Sequence, residues 1–421
     1  MKNAIKSPAI VLTKVFSAWA RSLCVRATHL TSLTLGLRLR RAVWLVFLLA
    51  AAESLQGEGY RTTLGTAPDD FPVVVVAGTP YEMGVSLGAL MRPEIEAFAA
   101  KFLAGAQKAG GKDLSNASLD AAWQTMEPFM SGRFREELRG LAAGSGLPLA
   151  LLQRVHMLPA ISEYSCSGVA LWGPATRNGH LYQIRNLDYA TGAHLQDFRC
   201  VVIYVPDQGV PHLNPAFAGS IGCHTGMNAE GITLTEIGDA PGVDKPYDLH
   251  GLHFMMMFRD ILYSAKTLDQ AVQMIKDTKR IKKYHFVVGD GKLPGAVKMK
   301  AWAPNLIIWH DNDPADEMAP EVFKGVVYHA ESRTPTARGH LAQYARGSYD
   351  ADAVIQLSKA IGSLGGNLMN AVYDATSREA WLSYALKDEC AYRRPYVHVN
   401  LMDFLPYDPA NPKVKVERVV K

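Results

Sequence analysis

Residues 165–188, SCSGVALWGPATRNGHLYQIRNLD, decide how this chain is read. Two short β-prone runs, Ser-Gly-Val-Ala-Leu-Trp and Leu-Tyr-Gln-Ile-Arg, flank Thr176, Arg177, Asn178 and Gly179. An Asn-Gly pair between two such runs is a hairpin signal, because both residues tolerate the positive φ that tight hairpin turns require. Cys166 stands at the mouth of the first run, and Arg185, Asn186 and Asp188 stand at the end of the second. Antiparallel pairing therefore returns a cation, an amide and a carboxylate to a thiol 19 positions before Arg185.

That grouping points to thiolate chemistry. A free cysteine has a pKa of about 8.5, and a neighbouring guanidinium favours the charged nucleophile. Asp188 is placed to orient an amine or the Arg185 fork. Apart from His180 in the turn, the hairpin supplies no imidazole base. A cysteine that begins a chain carries its own base, an α-amine with an ordinary pKa of about 7.7–8.0.

Cys-Ser-Gly, Trp-Gly, the Asn-Gly turn and Arg-Asn-Leu-Asp together resemble the start of the catalytic subunit in N-terminal nucleophile hydrolases. The resemblance is to the penicillin acyltransferase-type (acyl-CoA:6-aminopenicillanate acyltransferase-like) autoproteolytic cysteine hydrolases and, more distantly, to bile-salt (choloylglycine) hydrolases. It runs over about residues 73–385. It implies self-cleavage between Ser165 and Cys166, Cys166 as nucleophile, Arg185 beside its thiolate, and Asp188 as the contact of the freed amine. It also implies a four-layer αββα sandwich. Asn186 is a further supporting candidate. The turn Gly226-Met227-Asn228-Ala229-Glu230-Gly231 resembles the family as well, whose following strand ends in a main-chain N–H that helps hold the oxyanion. Here that end is Glu236-Ile237-Gly238, which points to the Gly238 region. A later family strand opens with an oxyanion-hole Asn. In this chain the position carries His285, whose ring N–H can also donate.

Composition bounds the remaining possibilities. The chain has 421 residues, 48% hydrophobic and 20% charged, enough for a large globular core. Residues 1–52 hold eight Lys or Arg and no Asp or Glu, leaving 36 basic against 40 acidic side chains elsewhere. That mildly acidic remainder gives no case for a nucleic-acid partner. Arg38, Arg40 and Arg41 before the apolar run 42–52 match a secretory signal, and the run is too short to span a bilayer. Residues 1–52 are thus expected to be a signal sequence of an exported (periplasmic or extracellular) protein. An uncleaved anchor and an over-long start are the alternatives. Cys200 and Cys223 could pair in an oxidising compartment or stay as buried thiols. No Cys-x-x-Cys pair supports a zinc site, and no cofactor is expected.

Taken in order, residues 53–71 read as a polar leader and 73–76 as a strand. Apolar residues at helical spacing follow, from Met83 to Phe102 with a break or kink at Pro93, then from Leu119 to Leu141 with a kink near Pro128. A third helix, 148–157, leads to the hairpin. Residues 53–165 thus read as a leader and helical pro-segment (α-subunit), and 166–421 as the catalytic portion (β-subunit), one structural domain with 73–165. The apolar helix faces need a partner, so the two fragments should stay associated after cleavage. Downstream, strands are expected at 199–205, 231–237, 284–288, 296–302, 306–309, 326–329, 370–374 and 379–384, with helices between, an α+β pattern. Thr267-Leu268-Asp269-Gln270 reads as a capping box. The tail 405–412 should lie over the surface.

The expected reaction is acyl transfer from a small-molecule amide, an N-acyl amino acid or acyl amine, through a thioester on Cys166 to water or another amine. Two other readings stay open. Cys166 could work with a distant histidine such as His224 or His285 without self-cleavage, or the chain could be an inactive secreted protein that binds acyl chains.

Overall fold

The valine run of Phe71–Gly78 is buried along its whole length except at Pro72 and Gly78. Alternating side chains of such a strand enter two different cores: Val73 and Val75 pack in one, Val74 and Val76 in the other. This strand therefore lies in a sheet covered on both faces, and the rest of the fold follows from what covers it. The computed structural model describes residues 57–420 apart from 162–164, 239–247 and the single positions 303, 321, 345, 409 and 411.

In chain order the strands are β1 (Glu58–Leu64), β2 (Phe71–Gly78), β3 (Ser165–Leu171), β4 (Tyr182–Asp188), β5 (Arg199–Pro206), β6 (His212–Phe217), β7 (Thr225–Asn228), β8 (Ile232–Ile237), β9 (Tyr284–Asp290), β10 (Gly295–Ala301), β11 (Leu306–Trp309), β12 (Val326–His329), β13 (Met369–Asp374), β14 (Glu379–Tyr384), β15 (Val397–Asn400) and β16 (Arg418–Val420). Five helices separate β2 from β3: α1 (Pro80–Leu90), α2 (Arg92–Gly110), α3 (Asn116–Met126), α4 (Gly132–Ser145) and α5 (Leu149–Ile161). Helices α6 (Phe254–Ser264) and α7 (Leu268–Asp277) precede β9, and α8 (Thr334–Gln343) and α9 (Ala351–Ala360) precede β13.

A ten-stranded sheet runs β11-β10-β9-β8-β7-β6-β5-β2-β1-β16, and a six-stranded sheet runs β12-β3-β4-β13-β14-β15. They pack face to face through β3 and β4 against β8 and β9. Helices α1, α6 and α7 cover the outer face of the larger sheet, and α8 and α9 cover the smaller. The expected α+β class and αββα layering are both present.

Helices α1 and α4 cross with their backbones in close contact because glycines face each other there. A Cβ on Gly84 would lie 2.1 Å from the Glu137 carbonyl oxygen, and one on Gly140 would lie 2.0 Å from that of Tyr81. Pro93 does not kink one long helix; α1 ends at Leu90, and α2 starts at Arg92 with the proline in its first turn, where its missing N–H costs nothing. Pro128 likewise sits in a 3₁₀ turn between α3 and α4. At Thr267 half of the expected capping box is formed: its hydroxyl accepts from Gln270 N–H at 3.2 Å, while Gln270 Oε1 accepts from Lys266 N–H and not from Thr267.

One expectation is corrected. Part of the polar leader is strand β1, whose Gly, Thr and Arg residues suit it to a place between β2 and β16. Chain beyond the Pro-rich tail returns as β16 to pair with β1. Of the two alternatives for Cys200 and Cys223, the structure has buried free thiols. The expected signal sequence at 1–52 lies outside the described residues. Among the described residues no helix is long and apolar enough to cross a membrane.

Candidate active site

Strands β3 and β4 form the hairpin read from the sequence, in the register Ser165 to Asp188, Cys166 to Leu187, Ser167 to Asn186 and Gly168 to Arg185. Gly179 in the turn has φ +74°, as the Asn-Gly signal requires. Residues directly opposite on antiparallel strands share a face. Cys166, Leu187, Gly168 and Arg185 thus look into the space between the sheets, where Gly168 leaves room for Thr235 and Ile237 of β8.

Cys166 is fully buried. Its sulfur lies 4.0 Å from Glu236 Oε2, which also accepts from Arg185 Nη2 at 3.2 Å. Arg185 Nη1 donates to the carbonyl of Asn186. The backbone N–H of Cys166 donates to Glu331 Oε1 at 3.3 Å, and Ser165 Oγ donates to Glu331 Oε2. One carboxylate therefore contacts both residues of the Ser165–Cys166 bond.

Asp188 accepts from Ser363 N–H at 3.1 Å, from Asn367 Nδ2 at 2.8 Å and from Arg333 Nη2. The same Arg333 Nη2 donates to the Cys166 carbonyl at 3.3 Å, so Asp188 reaches the cysteine backbone through Arg333.

Electrostatics here differ from those expected for a resting thiolate. Burial pushes the Cys166 thiol well above its ordinary value; Arg185 opposes this, while Glu236, Asp188 and Glu331 add to it. In the unbroken chain the group is a thiol. Burial also raises Asp188, to about 6, against the pull of Arg333, and raises Glu331.

The other sequence candidates are placed as follows. Asn186 turns to the opposite face of the sheet, where Nδ2 donates to Ser358 O at 2.7 Å and Oδ1 accepts from Ser358 Oγ at 2.7 Å; it anchors α9 and does not reach the thiol. Gly238 is buried at the exit of β8, two residues after Glu236. His285 lies across from Ile237, its ring against His329 at 4.5 Å and Trp309 at 6.4 Å between centroids. Among the described residues no imidazole is hydrogen-bonded to the Cys166 sulfur. Asn228 fixes the β7–β8 turn through Glu230 and Ile232 N–H and ties it to the end of α6.

Sequence reading missed Glu331 and Arg333 as partners of Cys166 and Asp188, and gave Glu236 no role. Only the acid and base two residues apart after β12 hinted at the first two. Among the described residues no group of His, Cys, Asp and Glu is arranged to hold a metal ion.

Next to this cluster is an apolar cavity. Its wall includes Leu187, the partner of Cys166, together with Phe98 and Phe134 from the helices before residue 165 and Phe217, Met255 and Met256 from the chain after it.

Comparison with known proteins gives the following. Residues 175–298 match the family model described as acyl-coenzyme A:6-aminopenicillanic acid acyl-transferase. Arg185, Asp188, Glu236 and His285 fall inside the match, and Cys166 precedes it. Among curated proteins, dcd1B of Dictyostelium discoideum is 25% identical over 407 residues, covering 86% of this chain and 80% of that protein. The N-acylethanolamine-hydrolyzing acid amidase of Mus musculus is 25% identical over 210 residues, covering 47% of this chain and 54% of that protein. Among solved structures, an N-acylethanolamine-hydrolyzing acid amidase ortholog from Caenorhabditis elegans aligns with TM-score 0.40 and 14% identity, over 55% of this chain and 98% of that one. A conjugated bile acid hydrolase from Clostridium perfringens aligns with TM-score 0.41 and 10% identity, over 60% of this chain and 97% of that one. Over residues 175–298 this chain is thus similar to the acyl-coenzyme A:6-aminopenicillanic acid acyl-transferase family.

Proposed function

We propose that this chain is a self-cleaving, exported amide hydrolase whose nucleophile is Cys166, made N-terminal by scission of the Ser165–Cys166 bond. The observation that carries this reading is the position of Glu331, whose carboxylate holds the Cys166 N–H and the Ser165 hydroxyl at once. In the precursor, the Cys166 sulfur attacks the Ser165 carbonyl carbon, the C–N bond breaks, and the acyl group moves to sulfur. Water then hydrolyses the thioester, leaving a carboxylate on Ser165 and an α-amine on Cys166. The freed amine finds Glu331 already beside it.

In the mature enzyme the α-amine takes the thiol proton, and the thiolate, beside Arg185, attacks the substrate amide carbon. The resulting ammonium protonates the leaving nitrogen as the C–N bond breaks, and water releases the acyl group from sulfur. Backbone donors near Gly238 are the candidates for holding the oxyanion. The apolar cavity beside Leu187 supports an acyl group as the recognised half of the substrate, an N-acyl amino acid or acyl amine. Association of the fragments is supported by β1 and β2, which precede the bond yet pair with β16 and β5, which follow it.

Brief incubation with the p-nitrophenyl ester of octanoic acid followed by acid quench and peptide mass analysis tests the nucleophile. An octanoyl mass on the peptide that begins at Cys166 is expected. Acylation elsewhere, or equal acylation of Cys166→Ala, would overturn the assignment.

A further inference from the structure

The cavity beside Leu187 is lined mainly by apolar side chains, with Ser220, Tyr189 and three histidines, His156, His224 and His253, as the polar residues among them. His156 is accounted for: Nδ1 donates to Leu152 O at 2.7 Å, and Nε2 accepts from Ile221 N–H at 3.1 Å. The other two are not. His253 is 1% exposed, its ring is bonded to the Pro159 backbone, and its Nε2 is buried with no protein partner. A proline backbone has only a carbonyl to offer, so the bonded ring nitrogen, Nδ1, carries the hydrogen. Nε2 is then an unpaired lone pair on a ring that lines the cavity. Nδ1 of His224 is likewise buried and without a partner.

Both rings are neutral. Burial holds His253 well below its ordinary pKa and His224 at about 3, the latter helped by the Arg185 guanidinium. A buried polar atom left without a partner is costly, and packing alone needs no imidazole among phenylalanines and methionines.

We propose that the acyl group this site takes carries a hydroxyl, which donates to His253 Nε2 and meets His224 Nδ1, so that the preferred substrates are hydroxylated acyl amides and not plain alkanoyl ones. A hydroxyl is the group that fits because it donates its one hydrogen to the acceptor on His253 while its oxygen accepts from His224 in the tautomer that carries the hydrogen on Nδ1. A keto or ether oxygen would leave the His253 lone pair facing another acceptor. The proposal rests on the reading of this cavity as the acyl pocket of the Cys166 site.

Two measurements separate the proposal from that reading. The first is calorimetric binding of octanoic acid and of its hydroxy isomers, with the hydroxyl walked from carbon 3 to carbon 8, to full-length Cys166→Ala protein. At least one isomer should bind about tenfold more tightly than octanoic acid, the equivalent of about 1.4 kcal/mol. That preference should vanish in His253→Phe and be retained in part by His253→Asn. The second is hydrolysis of the same acyl series as aminomethylcoumarin amides by the processed protein, where the same isomer should lead in kcat/KM. If octanoic acid binds as well as every isomer, or the preference survives His253→Phe, the proposal is wrong. If the preference in binding is present but no amide is cleaved, the hydroxyl site stands and the hydrolase reading falls.

Discussion

Removing the carboxylate of Glu137 should cost this fold more than any surface change. Glu137 lies on α4, before the proposed scission, and Arg259 on α6, after it; their Oε2 and Nη2 atoms are 2.5 Å apart, with side chains 1% and 2% exposed. Arg259 also lies over the Tyr204 ring at 3.6 Å and bonds to His212. Truncating Glu137 to Ala leaves a guanidinium buried among aromatic rings, a situation that costs about 3–5 kcal/mol. With an unfolding entropy of about 2.1 cal/mol/K per residue, the midpoint of a fold this size drops by about 4–7 °C. Replacing both partners, Glu137→Leu with Arg259→Met, removes the stranded charge and should recover most of the loss. Scanning calorimetry of the two single variants and the double, all in a Cys166→Ala background that keeps the chain whole, measures this. Midpoint shifts below about 1 °C in the singles, or a double variant equal to their sum, would refute the argument that the pair acts as a unit.

Other consequences are as specific. Glu331→Gln removes the charge facing Cys166 N–H and should slow appearance of the fragment starting at Cys166 at least about tenfold in a time course followed by gel densitometry, with little change in melting temperature. Asp188 titrates near 6 in the folded chain and near 4 when unfolded; its ionised form holds Arg333, so kcat/KM should fall as pH drops through about 6. The unfolded chain loses this proton first, so the same group makes the fold less stable as pH rises from about 4 to 6, and in Asp188→Asn both effects should disappear from pH–rate and pH–melting profiles. Gly140→Ala places a Cβ 2.0 Å from the Tyr81 carbonyl oxygen and should cost about 1–3 kcal/mol by forcing α1 and α4 apart, read as a lower melting temperature with hydrolysis retained.

The hairpin was legible because its signals are local. The Asn178-Gly179 turn sets the register, and the register alone places Arg185 two pairs from Cys166 and Asp188 across from Ser165. Helix faces before residue 165 were equally legible from spacing, although the breaks at Met91 and at residues 127–129 depended on prolines that end a helix as readily as they bend one. Strand β1 was not legible, because Gly59 and Arg61 break up the β-prone Tyr60, Thr62 and Thr63, and one of its two partners, β16, lies more than 350 residues away. Glu331 and Arg333 were hidden for the same reason. Their roles come from β12 lying beside β3, a long-range pairing that no local pattern announces. Asn186 shows the opposite error: adjacency to Arg185 suggested a shared task, yet strand alternation sends neighbouring side chains to opposite faces, and its amide binds Ser358 instead.

The central claim is that Cys166 becomes the first residue of a chain. Intact mass and N-terminal sequencing of the purified protein, beside Cys166→Ala, test it most directly. The account predicts two polypeptides in the wild type, one beginning Cys-Ser-Gly-Val, and a single unbroken polypeptide in the variant. An unbroken Ser165–Cys166 bond in wild-type protein that hydrolyses amides would contradict it, since the α-amine base would then not exist.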